Sequence, residues 1–176
     1  MDTKTSVSGS SDDVDISTNC STILTPSAST VDFKEFDNPI ESSIPYPGKI
    51  FMLRDNETGK VLTLLDGDVS LQPPGTRGSA YHWICEEHNG WLGFKNVASG
   101  TYLGHNFWGN IYAAASRHNL WENFCVRIQP NGGFVLLMMQ AFTLWPVKKR
   151  TEGGQQRLFK TEAPVKDGNI WNFIEV

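Results

Sequence analysis

Short apolar runs separated by turn residues set the rhythm of this chain from Lys49 onward. Between Gly90 and Ile128, Leu92 and Phe94 precede the turn Asn96-Val97-Ala98-Ser99-Gly100. The strand Thr101-Tyr102-Leu103-Gly104 follows, then a turn around Trp108-Gly109-Asn110, the strand Ile111-Tyr112-Ala113-Ala114, and a closing strand over 121–128. Four strands of about 4–8 residues, with turns at about ten-residue spacing, predict all-β structure. No helical periodicity runs long enough to compete.

The same plan lies upstream and downstream. Upstream, Lys49–Leu53, the turn Asp55-Asn56-Glu57-Thr58-Gly59, Lys60–Thr63, Asp66-Gly67-Asp68, Val69–Leu71 and Tyr81–Ile84 repeat it. Gly59 and Gly100 are 41 residues apart, as are Leu62 and Leu103. Downstream, Gly133–Leu137 opens a third copy and Trp171–Ile174 closes it, with a longer middle that lacks the turn glycines. A period of about 40 residues decides the fold, because one copy cannot bury its apolar face alone. Three copies can, and closing them on one another removes exposed sheet edges. The expected core is Phe51, Leu53, Leu62, Leu71 and Trp83; then Leu92, Phe94, Leu103, Ile111 and Phe124; then Val135, Leu137, Leu158 and Phe173. Phe124 and Phe173 are expected to be equivalent positions.

Charge divides the chain in two. Residues 1–47 hold eight acids and two bases, whereas residues 48–176 hold eleven acids, thirteen bases and all six tryptophans. The first stretch has too few large apolar groups to offset the entropy of ordering. Residues 1–46 are therefore expected to be a disordered tail, and residues 47–176 one domain with repeats near 48–88, 89–130 and 131–176. The tail lacks the apolar core of a secretory signal, and no stretch approaches the 18 or so apolar residues of a membrane span. A cytoplasmic monomer with no membrane association is the expectation. The three cysteines do not form a disulfide framework, and reduced thiols fit that compartment.

Candidate chemistry is sparse. His82, Cys85 and His88 suggest a metal site, but strand positions three apart point to opposite faces. No elbow, Walker, Rossmann or zincin motif is present. The expectation is a protein that is not an enzyme, with no cofactor and no metal. The basic run Lys148-Lys149-Arg150, with Arg157 and Lys160 nearby, could touch phosphates, yet the domain is far from the basic footprint of a nucleic-acid binder.

The repeats resemble a β-trefoil, and the middle copy is similar to the fascin-like group of the actin-crosslinking superfamily. The matching residues are Phe94-Lys95-Asn96, Ala98 to Gly104, Gly109 to Ala113, and Trp121-Glu122-Asn123-Phe124. The resemblance covers residues 48–176. It implies a six-stranded barrel capped by three hairpins, and a binding module for a protein partner, with actin the partner it names. The Gln-x-Trp signature of ricin-type repeats is absent; the closing motifs are Tyr-x-Trp, Trp-x-x-Phe and Trp-x-Phe. A lectin-like module binding carbohydrate is the alternative.

The residues expected to carry binding lie at the turn where copy two departs from copy one. Copy one uses Asp66-Gly67-Asp68-Val69 there, while copy two reads His105-Asn106-Phe107-Trp108-Gly109-Asn110. Trp108 could stack on a sugar or anchor a protein contact, with His105, Asn106 and Asn110 beside it. Phe107 is expected to fold back over the barrel mouth. Trp145 and the Lys148-Lys149-Arg150 loop form the second candidate surface.

Overall fold

The computed structural model describes residues 42–176, so the expectation of a disordered tail falls almost wholly outside the described residues. Among the described residues twelve strands run in chain order. Copy one holds β1 (Ile50–Asp55), β2 (Val61–Leu65), β3 (Asp68–Gln72) and β4 (Trp83–His88). Copy two holds β5 (Trp91–Asn96), β6 (Tyr102–His105), β7 (Ile111–Ala115) and β8 (Phe124–Ile128), and copy three holds β9 (Phe134–Gln140), β10 (Thr143–Glu152), β11 (Gln155–Lys160) and β12 (Ile170–Glu175).

Antiparallel pairing closes six of these into a barrel: β1 with β4, β4 with β5, β5 with β8, β8 with β9, β9 with β12, and β12 back to β1. The remaining strands form the hairpins β2–β3, β6–β7 and β10–β11. This is a β-trefoil. Its interior is aromatic: Phe94 stacks on Phe173 at 5.6 Å, and Phe51, Phe124 and Phe134 meet that pair edge-on. Edge-to-face and offset contacts suit the ring quadrupoles.

Turn chemistry repeats with the strands. Asp55 Oδ2 accepts from Thr58 N–H at 3.0 Å, and Asn96 Oδ1 accepts from Ala98 and Ser99 N–H at 3.1 Å. Each turn ends on a glycine with positive φ, Gly59 at 70° and Gly100 at 71°, which a residue with a Cβ adopts only under strain. Copy three puts Met138 at the equivalent position, as its pairing with Phe124 matches that of Asn96 with Trp83 and Asp55 with Trp171.

Three expectations about the core are corrected. In β9, Phe134, Leu136 and Met138 join the central cluster, whereas Val135 and Leu137 are buried on the opposite face. The loop before β12 covers that face, with Gly168 packed so closely on Val135 that a Cβ there would lie 2.5 Å from its methyl. A run of six apolar residues, Phe134 to Met139, hides which face is inward, because a one-residue slip exchanges the faces. Leu92 is partly buried, at the rim of the cluster. The closing strands also align differently: Trp83 pairs with Phe51, Phe124 with Leu92, and Trp171 with Phe134. Phe124 is thus the equivalent of Trp171, and Phe173 that of Val126.

Candidate functional site

The realignment leaves Trp121 surplus to the repeat. It sits in a 3-10 turn, Leu120–Glu122, ahead of β8 rather than within the closing strand. Two glycines, Gly93 on β5 and Gly104 on β6, let the loop 116–123 settle onto those strands. A Cβ on Gly93 would lie 2.7 Å from the His118 ring, and one on Gly104 would lie 2.8 Å from Glu122 Oε1 and 3.0 Å from the Trp121 carbonyl. Glu122 turns inward and locks the loop, its Oε2 accepting from Asn119 N–H at 3.1 Å. Burial pushes this carboxyl above its usual range, while the Asn119 backbone donor acts against that.

Between this loop and the β4–β5 turn opens a cavity of about 690 Å³. Trp91, Tyr112 and Trp121 give it aromatic walls, and Asn89, Asn119 and His88 line its polar side. Trp121 is 46% exposed, and its ring stacks at 5.4 Å on the buried His105. His105 Nδ1 lies 2.9 Å from the Asn106 carbonyl, which only accepts, so Nδ1 carries the proton. Nε2 then faces the Lys160 ammonium at 3.0 Å. Burial lowers the His105 pKa, and the neighbouring Lys160 charge lowers it further. The indole of Trp121 therefore rests on a neutral, fixed imidazole.

His118 forms the cavity's inner edge. Its ring stacks on Tyr102 at 5.6 Å, and among the described residues neither ring nitrogen finds a partner in good hydrogen-bond geometry. Burial and then the adjacent His88 hold its pKa below the usual value. Tyr102 donates to Glu86, and burial together with that carboxylate pushes the phenol up to about 12.

The residues singled out in the sequence are dispersed. Trp108 and Phe107 both stand in solvent, each 81% exposed, with their rings edge-on at 6.0 Å. Phe107 thus does not fold back over the barrel. The underside of its turn is filled by Lys160, which packs against Gly109. Asn106 Oδ1 accepts from Trp108 and Asn110 N–H, both at 3.0 Å, and so braces the turn. His105 is buried beneath Trp121. Trp145 is half-buried, with the Lys160 ammonium 5.7 Å from its ring centre. Lys149 is bound to Asp55 at 2.7 Å and Glu57 at 2.9 Å, and Lys148 lies at the same hollow. Asn110 and Arg150 meet at 2.9 Å. Among the described residues no three His, Cys, Asp or Glu side chains gather to hold a metal.

Trp121, Tyr112, Asn119 and Asn89 were not anticipated as a site. One signal for Trp121 was present: copy two carries an aromatic three positions ahead of the one its closing strand needs.

Neither a protein-family model nor a curated protein matches the sequence. Solved structures do. A ricin B-like lectin of Macrolepiota procera in complex with lactose superposes with a TM-score of 0.54 at 14% identity, over 74% of this chain and 98% of the lectin. The designed threefold-symmetric protein ThreeFoil gives 0.58 at 12% identity, over 72% and 99%. An endo-β-galactosidase from Clostridium perfringens gives 0.61 at 19% identity over 73% of this chain, which spans only 32% of that enzyme. At such identities these likenesses establish the fold.

Proposed function

We propose that this chain is a carbohydrate-binding β-trefoil, and that the sugar enters the cavity beside Trp121. The observation that carries the reading is the half-exposed indole, fixed from behind by His105 and flanked by the amides of Asn89 and Asn119. A pyranose offers an apolar face for stacking and hydroxyls around its rim, and a concave site with an aromatic wall and a few polar groups answers both. The lactose-bound fungal lectin, which superposes over nearly its whole length, supports the same reading. The neighbours give no support to actin as a partner.

Glycan-array binding by the wild-type chain and the Trp121→Ala variant tests this. The variant should lose binding while keeping a cooperative melt, because its ring lies outside the barrel core. Undiminished binding by Trp121→Ala would remove the cavity from consideration, and an array on which the wild type binds nothing would remove the sugar.

The exposure of Phe107 and Trp108 favours a second reading, a protein contact anchored at that turn. Trp108→Ala separates the two: it should leave sugar binding intact and abolish only a protein contact.

A further inference from the structure

A second cavity, of about 520 Å³, opens where the three hairpins β2–β3, β6–β7 and β10–β11 approach one another. It is lined by Arg150 and Arg157, with Asn106, Asn110, Asp68 and Glu152 around them. Arg150 and Arg157 are direct cross-strand partners in the β10–β11 hairpin. Directly opposed residues share a face, with Cβ atoms about 4.5–5.5 Å apart, and like charges in that arrangement are destabilising. The hairpin is also the basic element of the domain. From Thr143 to Lys160 it carries five bases against the single acid Glu152, while the rest of residues 48–176 carries eight bases against ten acids.

Two acids relieve the pair from the cavity rim. Arg157 reaches Asp68 at 2.8 Å and Arg150 reaches Glu152 at 3.3 Å, but both carboxylates are more than half exposed. Exposed ion pairs of this kind contribute little, so either carboxylate can yield its place to a ligand. Arg150 is held ready by the face of Phe159, 5.1 Å from its guanidinium carbon, and by the Asn110 side-chain oxygen Oδ1, which accepts from it at 2.9 Å. Each guanidinium keeps further N–H donors beyond those bonds, in the planar fork that matches a tetrahedral or carboxylate oxyanion.

We propose that this cavity is a binding site for an oxyanion group, a sulfate, phosphate or carboxylate gripped between Arg150 and Arg157. The site is separate from the Trp121 cavity and does not depend on the carbohydrate reading. The oxyanion could be free in solution or be the acidic substituent of a sugar.

Thermal melts at fixed ionic strength, with sodium sulfate replacing sodium chloride, test the proposal. Sulfate should raise the melting temperature saturably at millimolar concentration. Arg150→Gln and Arg157→Gln should each weaken the apparent affinity tenfold or more, while Arg127→Gln, on β8, should not. Galactose 6-sulfate distinguishes the sources: binding tenfold tighter than sulfate would identify an acidic sugar, and equal binding a free oxyanion, each upholding the site. A sulfate response no larger than that of chloride, or one that persists unchanged in both arginine variants, would overturn it.

Discussion

Lys160 is buried without a carboxylate among the described residues to meet it. Its ammonium instead touches His105 Nε2, the Gln140 side-chain oxygen and the face of Trp145. Burial holds its pKa below the usual lysine value. A base whose folded pKa is depressed binds fewer protons folded than unfolded, so it destabilises the fold at neutral pH. That penalty fades as pH rises from the lowered folded value towards the unfolded value of about 10.4. Lys160→Met should therefore be more stable than wild type at about pH 7, with the difference shrinking towards about pH 10.5. Denaturant melts across that range check it, and a difference that stays constant would mean that the ammonium is not the source. Phe124 presents the opposite case, a side chain wholly inside the barrel. Phe124→Ala should cost about 3–5 kcal/mol by the same measurement, as lost transfer energy plus a cavity. Phe124 was legible as core because it stands in the closing motif of its repeat. It could not mark His105 as buried, since that depends on Lys160 arriving from a strand 55 residues further on.

At the scale of strands and turns, repetition is the legible part. Asp55 and Asn96 occupy matching turns because both supply a side-chain oxygen that bonds the backbone two or three residues on. Met138 has no such group, and there the chain runs on through a hairpin into the ten-residue β10. Asp55 carries more than its turn. Burial alone would raise its pKa, but the Lys149 ammonium, the Thr58 hydroxyl and the Asn169 amide outweigh that and hold it below its usual value. A depressed carboxyl stabilises the fold above the unfolded value of about 3.9, and the stabilisation disappears as pH falls through the folded value. Asp55→Asn should thus lose stability at neutral pH yet approach wild type at acid pH, once the carboxyl is protonated in the folded state as well. Urea melts at the two pH values decide it; an equal deficit at both would point to geometry rather than charge. Asn96→Ala, which strands no charge, should cost less, on the order of 1–2 kcal/mol. The slip in β9 was not legible, because five consecutive buried residues carry no alternation to read.

Across the whole molecule, the three copies share an architecture while the candidate chemistry sits in their differences. Copy two supplies the Trp121 loop and the exposed Phe107-Trp108 turn; copy three supplies the basic hairpin. Period and turn spacing made the trefoil readable, since every copy must pack on the other two. The cavities were not readable, because each joins segments that sequence spacing does not relate, such as Asn89 with Asn119 or Asp68 with Arg157. The barrel also depends on its last strand. Phe173 contributes to the central aromatic cluster, and β12 pairs with both β1 and β9. A chain ending at residue 168 should have no cooperative melt and no near-ultraviolet circular dichroism. A truncated chain that kept both would mean that β12 is dispensable.

That ring closure has a bearing on how the protein is made. β1 finds its partner β12 only about 120 residues later, as in the pairing of Leu53 with Phe173. During synthesis β1 must wait, with one edge open, until β12 has left the ribosome. Folds dominated by such distant pairings form in about milliseconds to seconds rather than microseconds. For that interval the nascent chain carries unpaired strand edges and bare aromatic faces, the surfaces on which chaperones act and aggregates nucleate.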